Sequence, residues 1–300
     1  MRQGNRAALC AAVGRDGEFL MPKASFAGFA LTYYLLAGLG VNLGYHRVLS
    51  HRSLTLPKWL ERALVTIGLP AGTPVQWAGN HRYHHMHTDT ALDPHSPRHR
   101  GFWYAHVGWY LGSGNTALCI LYSLAGPVRM LLDAWMRPRT NQEYNGLARD
   151  VAADSYYAWV SHPESYAVLM HLHLGIAVIV AVWGWGLSGV VGLWLIQVVL
   201  YNLGDAIDSI AHLYGNTLPG QRDTSRNSLL MGLLILGEGW HANHHRFPWS
   251  AKHGLGPGEF DWTWQVIQAL RAAGLAREIR VPHTRDLLQL GIVEESQLCK

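Results

Sequence analysis

His81, His84 and His85 stand at i, i+3 and i+4, and the same spacing returns far downstream in His241, His244 and His245. On a helix that spacing gathers three imidazoles on one face. Two such faces invite a shared metal site. Neutral imidazole is a good ligand for zinc, copper and iron, and its second ring nitrogen wants a carboxylate or carbonyl partner. His46 and His51 are five apart, which on a straight helix leaves them well over a hundred degrees apart around the axis. They converge only if a helix ends or is distorted near Leu49-Ser50. Taken alone, beside Arg47 and Arg52, they read as a solvated rim that binds lipid phosphate. His212 follows Asp205 and Asp208 at the end of an apolar run, where ionisable groups are costly unless used or neutralised.

Counting only helically clustered or span-end positions gives His46, His51, His81, His84, His85, His212, His241, His244 and His245. That is too many for one tetrahedral zinc, so two metals are implied. No His-Glu-x-x-His zinc-protease motif is present. Glu238-x-x-His241 matches the Glu-x-x-His element of soluble di-iron bundles, but those need it twice with further glutamates. Glu238 therefore reads as a carboxylate that orients a ligand. His95, His99 and His106 could be ligands, but without the tight helical spacing they read first as surface or supporting groups, and His171 and His173 as solvated interfacial ones. Cys10, Cys119 and Cys299 are isolated, which excludes a disulfide framework and a cysteine-based zinc or iron–sulfur site.

Elements must bring these boxes together. The chain has 300 residues, 49% of them apolar, and a formal net charge of +4. Near-continuous apolar runs at 26–45, 166–183 and 187–207 approach the length of membrane spans. Gly184, Trp185 and Gly186 mark the turn of a hairpin formed by the last two. If His46 and His81 share one site, they lie on one side of the bilayer. The interrupted stretch 57–77 then lies in the interface or re-enters rather than crossing. The stretch 113–135 reads as a surface-lying amphipathic segment, and 136–165 as a soluble connector with Asp154 near a capped helix start. A helix around Trp264–Ala273 follows the last box. The sequence thus predicts an all-α integral membrane protein: a tail at 1–23, one membrane domain at 24–275 capped by soluble helices, and a tail at 276–300. No basic run with interleaved aromatics suggests nucleic acid.

The set His46-x-x-x-x-His51, His81-x-x-His84-His85 and His241-x-x-His244-His245 resembles the integral-membrane fatty acyl desaturase family, in its Δ9, stearoyl-type branch. The likeness runs from about residue 40 to about 275. Gly237–Pro248 resembles the branch's Gly-Glu-Gly-x-His-Asn-x-His-His-x-Phe-Pro. Asp93–Trp109 resembles its Asp-Pro-His followed by Gly-Phe-x-x-x-His-x-Gly-Trp. The resemblance implies that the boxes bind two irons on the cytoplasmic face, with His212 as the ninth ligand. It further implies O2-dependent removal of two hydrogens from adjacent carbons of an acyl chain in a bent tunnel. The chain would be carried on coenzyme A, a carrier protein or a glycerolipid. No cytochrome module is visible, so electrons are expected from a separate ferredoxin, flavoprotein reductase or small cytochrome.

Four departures are visible. Asp208 stands where the family has Asn, so it, like Glu238, is a candidate either to orient a ligand or to add one. Gly79-Asn80 replaces an Arg-Asp pair that contacts coenzyme A in animal members. Asp205 replaces an aromatic of the tunnel, and one span rather than two precedes the first box. The altered contacts keep two other readings open: a related di-iron hydroxylase or acetylenase, and a non-catalytic membrane metal-binding protein.

Overall fold

The computed structural model describes residues 23–137 and 145–293. The amino-terminal tail up to residue 22, with Cys10, lies outside them, as does Cys299. The described residues are helical, with isolated bridges such as Thr55 to Arg277 in place of strands.

Helix α1, Lys23–Leu39, runs without a break into a π-helical segment, Gly40–Ser50. Together Ser25–Ser50 has a mean hydropathy of 1.5, and Pro163–His212 one of 2.1. Both are long and apolar enough to cross a membrane. Helix α2, Lys58–Ile67, and helix α3, Pro74–His87, follow and are short. At 10 residues α2 rises about 15 Å, half of what a crossing needs. Its backbone seats against the π segment at glycines: a Cβ on Gly40 would come within 2.7 Å of the Gly68 nitrogen, and one on Gly44 within 3.1 Å of Leu64. Small residues at this pair are what let the two backbones touch.

Helix α4, Thr116–Ser123, and helix α5, Pro127–Met136, meet at an angle of 113°. The bend falls at Gly126, whose φ of 49° suits glycine. Both helices expose apolar side chains, among them Leu118, Leu121 and Trp135. Helix α6, Ser155–Ser161, is capped by Asp154, which accepts from the Tyr156 N–H.

The long helical stretch α7, Pro163–Asp208, breaks at Gly186, with φ 60° and ψ −142°. The chain reverses there. Leu193 packs with Ala177 and Ala181, whereas an unbroken helix would hold Ala177 and Leu193 about 24 Å apart. Each leg is then about 33 Å long, enough for a bilayer. Trp183 and Leu187, beside the turn, are 72% and 80% exposed. Such apolar exposure suits lipid and not water. Beyond the hairpin lie helix α8, Leu229–Leu234, helix α9, His241–Arg246, and helix α10, Trp262–Ala272. The apolar core ties the outgoing leg to α2 and α3 through Tyr166, Met170, Val65 and Ala78.

Candidate metal centre and cavity

The end of the first span supplies His46 and His51, and the π winding is what aligns them. The His51 N–H bonds the His46 carbonyl at 3.1 Å, an i to i+5 link, so the two rings lie one turn apart with centroids 4.9 Å from each other. The distortion therefore spans the whole of Gly40–Ser50 rather than Leu49-Ser50 alone. Helix α3 starts on Thr73, whose hydroxyl accepts from the Gln76 N–H, with Pro74 in its first turn. It carries His81, His84 and His85. A 3-10 turn, Ile210–His212, delivers His212 at the end of the return leg, and α9 delivers the last three histidines.

All nine meet, in two groups. His46, His51, His81, His85 and His244 form one, and His84, His212, His241 and His245 the other, with the nitrogens of each group within 4.8 Å of one another. Each helical box is split. The i and i+4 members of α3 enter the first group and its i+3 member the second, whereas α9 sends His241 and His245 to the second and His244 to the first. The groups adjoin, His85 and His245 having ring centroids 4.5 Å apart.

Within the first group the Nε2 atoms of His46 and His244 are 3.0 Å apart, those of His244 and His85 2.8 Å, and those of His51 and His81 2.8 Å. In the second, His241 Nε2 lies 3.1 Å from those of both His212 and His245. Imidazole–metal bonds of roughly 2.1 Å put neighbouring nitrogens about 3.0 Å apart at right angles. The protonation pattern agrees. His46 Nδ1 faces Glu238 Oε2 at 2.7 Å, and His84 Nδ1 faces Asp93 Oδ1 at 3.0 Å. A carboxylate only accepts, so each Nδ1 carries the proton and each Nε2 turns a lone pair inward. The donor set fits a pair of metal ions.

Glu238 is held by Gly237 and Gly239. A Cβ on Gly237 would fall 2.3 Å from Asp261 Oδ1, and one on Gly239 2.1 Å from the Gly232 nitrogen. Glu238 also lies 3.0 Å from His253 Nδ1 and accepts from Arg47 at 3.0 Å. Burial opposes its charge, but His253, His46 and Arg47 outweigh it and hold Glu238 well below the usual carboxylate range. Arg47 is fully buried and also donates to both oxygens of Asp261. It is thus a structural cation, not a lipid-facing one. Arg52 is exposed and pairs with Asp150. Burial, and then the neighbouring imidazoles, push His51, His81, His85, His241, His244 and His245 well below the usual histidine range. Neutral imidazole is the form that ligates.

His253 and His95 are buried parts of the site that helical spacing did not flag. His95 stacks on His84 with centroids 4.4 Å apart, and its Nδ1 is 3.8 Å from Asp208 Oδ1. Asp208 thus lies beside the second group. His106 bonds Ser209 and Asn202, and His99 the Asp89 carbonyl. His171 and His173 bond carbonyls four residues back on their own helix.

A cavity of about 200 Å3 leads from Tyr33 and Gln197, between the spans, past Tyr201 and Asp205 to His46, His84 and His241. A smaller one of about 50 Å3 adjoins it, sharing Trp77, His81, Arg137 and Asp208. Trp77 stacks on His81 at 5.0 Å. Asp205 is neutralised by Arg129 of α5, which donates from both terminal nitrogens, one at 2.9 Å.

The family model described as fatty acid desaturase matches residues 24–268. An sn-1 stearoyl-lipid 9-desaturase of Anabaena variabilis is 34% identical over 253 residues, covering 84% of this chain and 82% of the relative. An acyl-CoA 5-desaturase of Anemone leveillei is 36% identical over 282 residues, covering 90% and 77%. An sn-2 palmitoyl-lipid 9-desaturase of a Nostoc species is 36% identical over 250 residues, covering 82% and 78%. The chain belongs to the fatty acid desaturase family, as its histidine boxes and all-helical membrane fold lead one to expect.

Proposed function

We propose that this chain is an O2-dependent acyl desaturase that holds two iron ions, one in each histidine group. The observation that carries the reading is the convergence of nine imidazoles into two adjoining groups at the end of an apolar cavity. Five nitrogens exceed the tetrahedral set of zinc, and iron accepts imidazole ligation. When bound, the metals supply the oxygen activation that breaking two unactivated C–H bonds requires.

The chain's own residues do the rest. Glu238 and Asp93 hold the proton on the outer nitrogen of His46 and His84 and so fix both rings. Trp77, Leu203 and Ile207 line the cavity beside the histidines and exclude water from the acyl chain. The small cavity beyond Trp77 lets that chain bend past the metals. The acyl group arrives on a glycerolipid, coenzyme A or a carrier protein, the carriers named for relatives being lipid and coenzyme A. We place 57–77 and 113–135 in the membrane interface. The histidine end of the spans faces the cytoplasm, where a separate ferredoxin, flavoprotein or cytochrome delivers electrons.

Elemental analysis of the detergent-purified protein tests this, wild type beside His244→Ala, with mass analysis of lipids from cells that express each. Two irons per chain and a two-hydrogen loss that the variant lacks are expected. Zinc, or no metal in freshly prepared reduced protein, would overturn the di-iron reading. A gain of one oxygen would assign hydroxylation instead.

A further inference from the structure

We propose that the acyl chain this protein takes carries a hydroxyl group set back from the reacting carbons, recognised by Gln197 and Tyr201. The inference rests on the desaturase reading and names the class of substrate. Both residues line the main cavity. They stand at i and i+4 on the return leg, so their side chains share one face.

Gln197 is 2% exposed. Its Nε2 donates to the Tyr33 hydroxyl at 3.1 Å and sits 3.7 Å from Met130 sulfur, while its Oε1 has no partner among the described residues. The Tyr201 hydroxyl is likewise buried and without a partner. Arg129 covers the Tyr201 ring, with Cζ 4.3 Å from its centre, and fixes where that hydroxyl stands. A cavity built for plain hydrocarbon is best lined here by Leu and Phe, since a saturated chain would leave both polar atoms unmet.

The two groups narrow the ligand. An amide oxygen only accepts, whereas a phenol donates and accepts. A hydroxyl does both, and meets the pair whichever way the amide is turned. With the amide turned as it is here, Nε2 on Tyr33, a keto oxygen cannot donate to Gln197 Oε1. A carboxylate cannot either, and would bring a charge into a cavity between membrane spans. Along the helix axis, Tyr201 precedes Asp208 by about 10 Å and Gln197 by about 16 Å. The hydroxyl therefore sits on the part of the acyl chain held between the spans.

Cells expressing the full chain are fed stearate or one of a series of stearates, each hydroxylated at a single carbon, and two-hydrogen loss is read by mass. We expect one isomer to be converted at least about tenfold better than stearate, and Gln197→Leu and Tyr201→Phe to cut that preference to about twofold or less. Stearate converted as well as every hydroxylated isomer would overturn the proposal, as would a preference that survives in the double variant. If no probe loses hydrogens, the desaturase reading fails and melting of the detergent-purified protein decides the inference separately. A hydroxystearate that raises the melting temperature more than stearate in wild type but not in Gln197→Leu upholds it, and equal shifts overturn it.

Discussion

The two histidine groups draw on the same two helices yet are supported differently. The first has five nitrogens, and its outer carboxylate, Glu238, is locked through Arg47 to Asp261 at the start of α10. The second has four, and leans on loop residues: Asp93 behind His84, Asp223 at 3.6 Å from His245 and Thr224 beside His212. Asp208 stands beside it, its Oδ1 3.8 Å from His95 Nδ1. A group with a spare donor and a rigid support tolerates loss, and a group of four on loops does not.

The largest expected effect tests that difference directly. His245→Ala leaves the second group three nitrogens, whereas His51→Ala leaves the first four. His245→Ala should lose about one metal per chain and at least ~100-fold of activity, and His51→Ala should retain most of its metal. Equal losses, by elemental analysis and product mass, would end the claim that the groups differ.

Next come the carboxylates. Glu238→Gln should weaken metal retention in the first group about 10–100-fold, and Asp93→Asn should do so in the second. Chelator competition followed spectroscopically on each variant assigns each loss to one group. A Glu238→Gln protein that releases both metals together would show that the supports are coupled.

Acid should act on both groups. The folded chain depresses the pKa of six of these histidines, so as pH falls through about 6.5 the unfolded chain takes up protons that the folded one refuses. Stability is then full above that pH and declines below it, and metal leaves over the same window. Melting temperature measured from pH 8 to pH 5 checks the sign, and a flat profile would contradict it.

The smallest effect is expected at Asp208→Asn. It restores the residue the desaturase branch carries and removes one half-buried carboxyl group beside the second group. Metal content should stay at two, with a change in rate of a few fold. Loss of a metal would show that Asp208 is itself a ligand.

Much of the site could be read in advance because helical spacing is local. Three histidines at i, i+3 and i+4 must share a helix face wherever that helix goes, and twenty apolar residues must find lipid whatever packs beside them. Apart from Glu238, the supports escaped because they are set by chain separations no spacing encodes. His253 reaches Glu238 from beyond the last box, and Arg47 meets Asp261 across most of the chain. Arg129 neutralises Asp205 from a helix that read only as an amphipathic surface segment. In each case the residue type was visible and its partner was not.

By itself, then, the sequence determined the histidine boxes, a hairpin of apolar runs turning within 184–186 and the all-helical membrane character, since each follows from periodicity, length or a glycine's freedom. Only the tertiary structure decided which histidine joins which group. The crossing of His84 and His244 into opposite groups arises because α3 and α9 face each other, so the i+3 ring of each helix points past its own pair toward the other's. The π winding of Gly40–Ser50, which closes His46 onto His51, likewise depends on packing against α2, and packing is a property of the folded chain.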